Sequence, residues 1–215
     1  MSKKGPYIPA LHFRWLTPLY DPLLKWGMRE ETFKRCLVDQ ASIRPGDRVL
    51  DLGCGTGTLT VMIQRTHPEA EVVGLDGDPQ VLAIAQEKAR QAGMRIIWDE
   101  GLADRLPYPT GSFDRVVSSL MIHHLAPEAK RSAMREVLRV LSLGGTFHIL
   151  DFGQPHSLAM RLASILVSRL EPVRENLDGK LIAILEEAGF NSVSETERFA
   201  TIVGPLSLYR AVKLG

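Results

Sequence analysis

Cysteine is scarce: the 215 residues hold only Cys36 and Cys54, too far apart for a C-x-x-C pair. That excludes a disulfide framework and a thiolate zinc site, so no metal is expected, and it suits a protein of a reducing compartment, here the cytoplasm. Net charge is nearly absent too, because 26 Lys and Arg stand against 25 Asp and Glu and leave +1. The field of the whole molecule therefore draws in neither nucleic acid nor an anionic membrane; such a partner would need a local patch. No run of about eighteen apolar residues occurs, and Pro6 and Pro9 interrupt the segment after Lys3 and Lys4, so neither a transmembrane helix nor a signal peptide is expected. Internal repeats and low-complexity linkers are missing as well. What remains, 45% hydrophobic and 24% charged, is the composition of one globular domain able to bury a sizeable core.

The first forty residues differ from the rest, with Phe13, Trp15, Tyr20, Trp26 and Phe33 set among prolines. Thr17-Pro18 and Asp21-Pro22 each put a capping side chain before a proline at a first helical position, and Phe33, Cys36 and Leu37 recur at helical spacing. Residues 1–44 thus read as an N-terminal helical cap on a domain spanning 45–215. From Arg48 onward, short β-branched or apolar runs alternate with helical patterns. The predicted strands are 48–52, 71–75, 95–98, 113–118 and 146–150. Between them, Leu59, Met62 and Ile63 mark one helix. A second carries Leu82, Ala85 and Ala89 between Asp78-Pro79 and Gly93, and a third carries Met134, Val137, Leu138 and Leu141, ending at Gly144-Gly145. Apolar strands alternating with helices imply an α/β fold with a doubly wound, mostly parallel sheet. Two further helices are predicted, over 158–170 and around Leu181 to Ala188. Strands 192–199 and 206–212 then follow in succession with Gly204-Pro205 between them, so the seven-stranded sheet should close with an antiparallel hairpin.

Val49-Leu50-Asp51-Leu52-Gly53-Cys54-Gly55-Thr56-Gly57 runs from a strand through a glycine loop into a helix. Glycines let backbone N–H groups approach a ligand, and the helix start favours its anionic parts. Leu75-Asp76 ends the next strand, where a carboxylate can accept both hydroxyls of a ribose; the alternative is a tight turn with Asp76 capping the next helix. A dinucleotide fingerprint, G-x-G-x-x-G, fails both ways, since its last position falls on Thr58 or Thr60. The stretch from Asp51 to Gly57 instead resembles motif I of the class I S-adenosylmethionine-dependent methyltransferases. The likeness continues through Asp76, Leu106-Pro107-Tyr108-Pro109, Ser112-Phe113-Asp114, the run Ser118 to Leu125, and Arg139-Val140-Leu141 before Gly144-Gly145. It is closest to the ubiquinone/menaquinone C-methyltransferase-like branch of small-molecule enzymes and implies a Rossmann-like methyltransferase fold. Carried over, it sets Asp51, Gly53, Cys54, Gly55, Thr56 and Gly57 beside the methionine part of S-adenosylmethionine, and Asp76-Gly77 at the ribose. Ser119 and Leu120 fall near the amino-acid portion and sulfonium. Leu102-Ala103 stands where many relatives carry an acidic residue for the adenine amine, with Asp104 or Glu100 as substitute acceptors. Tyr20-Asp21 resembles a Tyr-Asp pair in which the tyrosine approaches the cofactor; a tyrosine anchoring the cap is the alternative.

Methyl transfer from a sulfonium is an in-line displacement that needs mainly alignment and exclusion of water. Where the acceptor is a hydroxyl, an amine or an activated ring carbon, a proton must also leave, and a positioned base helps by about 10²- to 10⁴-fold. His124 and His123 stand at the mouth of the fourth strand and are the candidate bases; packing or capping is the alternative for each. Asp151, ending the fifth strand, faces substrate or satisfies a turn, and His148 and His156 are structural or solvent-facing. The amino-methylating motifs Asn-Pro-Pro-Tyr and Asp-Pro-Pro-Tyr are missing, as is a basic stripe with interleaved aromatics, so nucleic acid is not an expected partner. Arsenite methyltransferases resemble this branch but need more cysteines. The expected acceptor is a small molecule, with a homodimer left open and a non-catalytic S-adenosylmethionine-binding regulator or scaffold as the alternative function.

Overall fold

The computed structural model describes residues 30–155, 174–201 and 204–215. Its strands are β1 (Arg48–Leu52), β2 (Glu71–Asp76), β3 (Ile97–Glu100), β4 (Phe113–Ser119), β5 (Leu141–Phe152), β6 (Asn191–Thr201) and β7 (Gly204–Val212). They form one sheet in the order β3-β2-β1-β4-β5-β7-β6. Strands β1 to β5 pair in parallel, and β7 runs antiparallel to both β5 and β6. The helices are α1 (Glu30–Ala41), α2 (Thr58–Thr66), α3 (Pro79–Gln91), α4 (Pro127–Val140), α5 (Arg174–Leu177) and α6 (Leu181–Glu187), with a 3₁₀ turn at Ile122–His124.

The central strands are buried on both faces, which is why they read as continuous apolar runs. On one face Leu50, Leu52, Val116, Phe147 and Ile149 pack with Met134 and Val137 of α4 and Leu181 and Leu185 of α6. On the other, Val49, Val72, Val117 and Leu150 meet Leu59 and Ile63 of α2 and Phe33, Leu37 and Val38 of α1. The described part of the N-terminal segment is thus a helix of the sheet's own core. From β1 the winding goes outward to β2 and β3 on one side and to β4 and β5 on the other. The carboxyl ends of β1 and β4 therefore flank the switch point where open α/β sheets take ligands.

The boundaries differ from the sequence expectation most in three places. β3 starts at Ile97 rather than Arg95, because the exit turn of α3 runs past Gly93, with the Met94 N–H still donating to Ala89 O. The third predicted helix stops at Val140, and Leu141 opens β5. Gly144-Gly145 lies inside that strand, where pairing with β4 slips from Phe113↔Leu141 to Arg115↔Thr146 and Gly144 takes φ +78°. Gly204-Pro205 likewise belongs to β7, pairing with Thr201 and Ala200. Tyr20, the helix starts at 17–22, His156 and the helix over 158–170 lie outside the described residues.

Candidate functional site

β1 hands the chain to a loop whose glycines Gly53, Gly55 and Gly57 have φ of +71°, +53° and +73°. A side chain at Gly53 would overlap Met121, and one at Gly57 would press on Trp98 and Ala85, so both need glycine for packing and conformation alike. Gly55 differs. Among the described residues nothing lies within 4 Å of where its Cβ would stand, so this face of the loop is open to them. From below, the Gly53 and Cys54 N–H groups both donate to Leu75 O, at 2.8 and 3.0 Å, while the Gly55 N–H donates to Asp76 Oδ2 at 2.8 Å. The second Asp76 oxygen accepts from the Asp78 N–H at 3.0 Å. Burial raises the Asp76 carboxyl against these N–H bonds. Each oxygen retains a further acceptor direction, enough for two ligand hydroxyls. The capping job falls to Asp78, which accepts from the Gln80 N–H at 2.8 Å. Gly77 lies between the two.

Asp51 lies beneath the loop, 1% exposed. Burial drives its carboxyl up to about 6, against the Thr60 hydroxyl, which donates to Oδ2 at 2.6 Å, and the Lys34 charge. Lys34 pairs with Glu30, so the start of α1 approaches the carboxyl end of β1. Burial also pushes the Cys54 thiol up, keeping it protonated and unreactive. Thr56 and Thr58 accept from Lys88 Nζ at 3.3 and 2.8 Å, which ties the loop to α3. Beyond β3, the Gly101 N–H donates to Asp76 O at 3.0 Å and brings the Leu102–Arg105 turn alongside. Leu102 is 48% exposed there, an apolar side chain at the surface next to Ala103, with Asp104 and Glu100 also exposed.

The chain turns sharply after β4. Leu120 takes φ +55°, a left-handed conformation that costs about 1–2 kcal/mol for such a residue, and its N–H is held by Leu150 O at 2.8 Å. Met121 then packs on Gly53, joining this turn to the glycine loop. The Ser119 hydroxyl is buried with no hydrogen-bond partner among the described residues, a group kept for ligand or water. Next come the two histidines. His123 is buried, its ring centre 4.0 Å from that of half-buried His124 at a tilt of 39° and set edge-on to Phe152 at 4.9 Å. At the end of β5, Asp151 Oδ1 accepts from His123 Nδ1 and the Phe152 N–H, both at 2.7 Å, and Oδ2 from the His123 N–H at 3.2 Å. Burial alone would raise the Asp151 carboxyl, but His123 and the Phe152 N–H outweigh it and hold it below the usual carboxylate range. Asp151 thus partners His123.

Two residues that carried no sequence signal join this end of the sheet. α5 packs against the 3₁₀ turn and β5, and its Asn176 accepts from Lys130 Nζ at 2.9 Å, both side chains fully buried. The Asn176 Nδ2 group has no partner among the described residues. A buried lysine in an otherwise ordinary amphipathic helix matches no motif. Among the described residues no group of three His, Cys, Asp or Glu is placed to hold a metal, and no helix is long and apolar enough to cross a membrane.

A family model described as a methyltransferase domain matches residues 49–145. The demethylmenaquinone methyltransferase of Thermus thermophilus is 38% identical over 146 residues, which span 66% of this chain and 65% of that protein. The ubiquinone/menaquinone biosynthesis C-methyltransferase UbiE of Proteus mirabilis is 30% identical over 213 residues, covering 86% of this chain and 82% of its own. Among solved structures, the YcgJ protein of Bacillus subtilis superposes with a TM-score of 0.70 at 18% identity, covering 86% and 99% of the two chains, which bears on the fold alone.

Proposed function

The chain belongs to the class I S-adenosylmethionine-dependent methyltransferases, and we propose that this member methylates the ring of a small molecule of the quinone class. Two relatives whose names carry a quinone support that acceptor. The observation that carries the site is the glycine loop hung on Asp76: the carboxylate holds the Gly55 N–H from below while the upper face at Gly55 stands open. When bound, S-adenosylmethionine supplies the sulfonium methyl group; the chain aligns the partners and keeps water out. In this reading Asp51 to Gly57 lie along the methionine part, Asp76 and Gly77 take the ribose hydroxyls, Leu102 and Ala103 flank adenine, and Ser119 with Leu120 faces the amino-acid portion.

Asp76→Ala tests the cofactor site. Hydrogen bonds to a charged acceptor contribute about 1.5–3 kcal/mol each, so losing the ribose contacts lowers S-adenosylmethionine affinity at least tenfold in calorimetry while circular dichroism shows the fold retained. Unchanged affinity would refute the assignment. Incubating the wild-type chain with methyl-labelled cofactor and a panel of reduced naphthoquinones tests the acceptor: label should enter the ring, and binding without any transfer would favour a non-catalytic role.

A further inference from the structure

We infer that Trp98, on the edge strand β3, is a positioning residue for the cofactor: its indole ring fixes the exit of the glycine loop in advance, so that S-adenosylmethionine does not have to order the loop on binding. This rests on the methyl-transfer reading above. Trp98 stands opposite Gly74 in the pairing of β3 with β2. A Cβ at Gly74 would lie 2.6 Å from Cε3 and Cζ3 of the Trp98 ring and 3.2 Å from Cys54 Sγ, and a Cβ at Gly57 would lie 2.6 Å from Cη2. Those three carbons follow one another around the six-membered ring. Its edge therefore runs from the middle of β2 to the last glycine of the loop, with Cys54 beside it.

Gly74 shows what the space is for. A glycine inside a strand weakens it, and this one takes no left-handed φ that would demand glycine. What the missing side chain leaves is a seat for the ring and for Cys54 Sγ.

The exit of the loop relies on that ring. Gly53 and Cys54 hang on Leu75 O and Gly55 on Asp76, all through hydrogen bonds to β2. The Gly57 N–H instead donates back into the loop, to Cys54 O at 2.9 Å, and among the described residues no side-chain hydrogen bond caps α2 there. Its place is set by packing on Trp98 and Ala85, and by Lys88, which reaches the neighbouring Thr56 and Thr58. Gly55, where the loop is open, lies between these two kinds of anchor, so movement at Gly57 is passed to it directly. A loop set in advance spares the ligand the cost of ordering it. Holding the backbone of a single residue is worth about five- to thirtyfold in an equilibrium constant.

Trp98→Leu and Gly74→Ala test the contact from its two sides, the second leaving the tryptophan in the chain but denying the ring its seat. Calorimetry on variants that circular dichroism shows to be folded should find the S-adenosylmethionine Kd raised about five- to thirtyfold in each, with little further loss when the two are combined. With saturating S-adenosylmethionine and a reduced naphthoquinone, kcat should stay within about threefold of wild type, because the bound cofactor restores the loop. In cofactor-free protein, the Gly55 and Gly57 N–H groups should exchange with solvent about five- to thirtyfold faster in each variant, and saturation with S-adenosylhomocysteine should slow them again. A ring that only filled space would change the melting temperature and leave Kd and these exchange rates alone. The inference is overturned by a Kd within about twofold of wild type in folded Trp98→Leu, by unchanged exchange at Gly55 and Gly57, by a kcat that falls as far as the affinity, or by losses that simply add in the double variant. Should Trp98→Leu fail to fold, Trp98→Phe decides by the same readings, since phenylalanine keeps an aromatic ring on β3 but is too short to reach Gly57. Failure of the wild type to bind S-adenosylmethionine would instead defeat the underlying reading.

Discussion

Protonating His148 should cost the fold several kcal/mol, although this histidine lies outside the candidate site. It is 1% exposed in the middle of β5. Gln40 of α1 donates from Nε2 to His148 Nδ1 at 3.1 Å and to Tyr209 O at 3.0 Å, and its amide oxygen accepts from the Thr196 hydroxyl. An amide nitrogen cannot accept, so Nδ1 must, and the ring proton sits on Nε2 facing the Thr146 hydroxyl at 2.9 Å. A second ring proton would set two donors face to face. Burial, then the charges of Arg210 and Arg115, push the pKa down to about 3. The unfolded chain takes up this proton from about pH 6.5 downward and the folded chain does not, so the stability is whole above about 6.5 and is lost as pH falls towards 3. At about 1.36 kcal/mol per pH unit, roughly 2.7 kcal/mol is gone by pH 4.5, a large share of the ~5–15 kcal/mol that holds a typical domain. His148→Gln keeps a donor and an acceptor but does not titrate. Urea unfolding followed by circular dichroism should find it about 1 kcal/mol less stable than wild type at pH 8, from lost ring packing, and more stable by about 1–2 kcal/mol at pH 4.5. The two stability curves must cross; curves that run parallel from pH 8 to 4 would show that the ring is already charged or hydrated in the folded state.

Gly53→Ala and Gly55→Ala should part company: the first forces a methyl group into Met121 and should cost about 1–3 kcal/mol, whereas the second adds only left-handed strain of about 1–2 kcal/mol, yet places its methyl where the ligand would lie. Thermal melts should separate their stabilities, and Gly55→Ala binding S-adenosylmethionine as tightly as wild type would refute the open-face assignment. Ser119→Ala, which removes a buried unpartnered hydroxyl, should raise the free protein's melting temperature slightly while weakening the cofactor; a lower melting temperature would mean the hydroxyl is already satisfied. Asp51 has its carboxyl raised to about 6, so the folded state binds that proton more tightly and loses stability as pH rises from about 4 to 6. Asp51→Asn should flatten that decline relative to wild type, and an unchanged difference across the window would show that the carboxyl is not buried as described.

Most of the sheet was legible because its strands are buried on both faces and leave continuous apolar runs, with β1 matching its predicted span residue for residue. The misread boundaries sit where glycine serves two purposes. Gly144-Gly145 looks like a helix stop, but Leu141 before it already belongs to the strand, a distinction made by pairing with Phe113 rather than by anything local. The glycine loop and Asp76 were visible through their spacing, whereas the division of labour between Asp76 and Asp78 was not, since both carboxylates stand at plausible capping positions. Asp151 was open between facing substrate and satisfying a turn; the structure gives it a turn and an imidazole together. Lys130 and Asn176 lay hidden because they meet across 46 residues, and sequence spacing cannot report such a contact.

The position of β7 between β5 and β6 has a consequence for how the protein comes into being. β6 is made first but, among the described strands, pairs with β7 alone, and β5 waits for the same strand along seven residue pairs. While the chain is being synthesised, β1 to β5 can assemble in order of appearance, yet one edge of β5 stays unpaired until β7 is inserted as a wedge between two elements already present. An unpaired apolar strand edge is a template for pairing with other chains, so this interval is when aggregation threatens most. The same arrangement makes closure a late, long-range event, in which β7 completes the sheet and, through Tyr209 O, receives the Gln40 contact that fastens α1 to it.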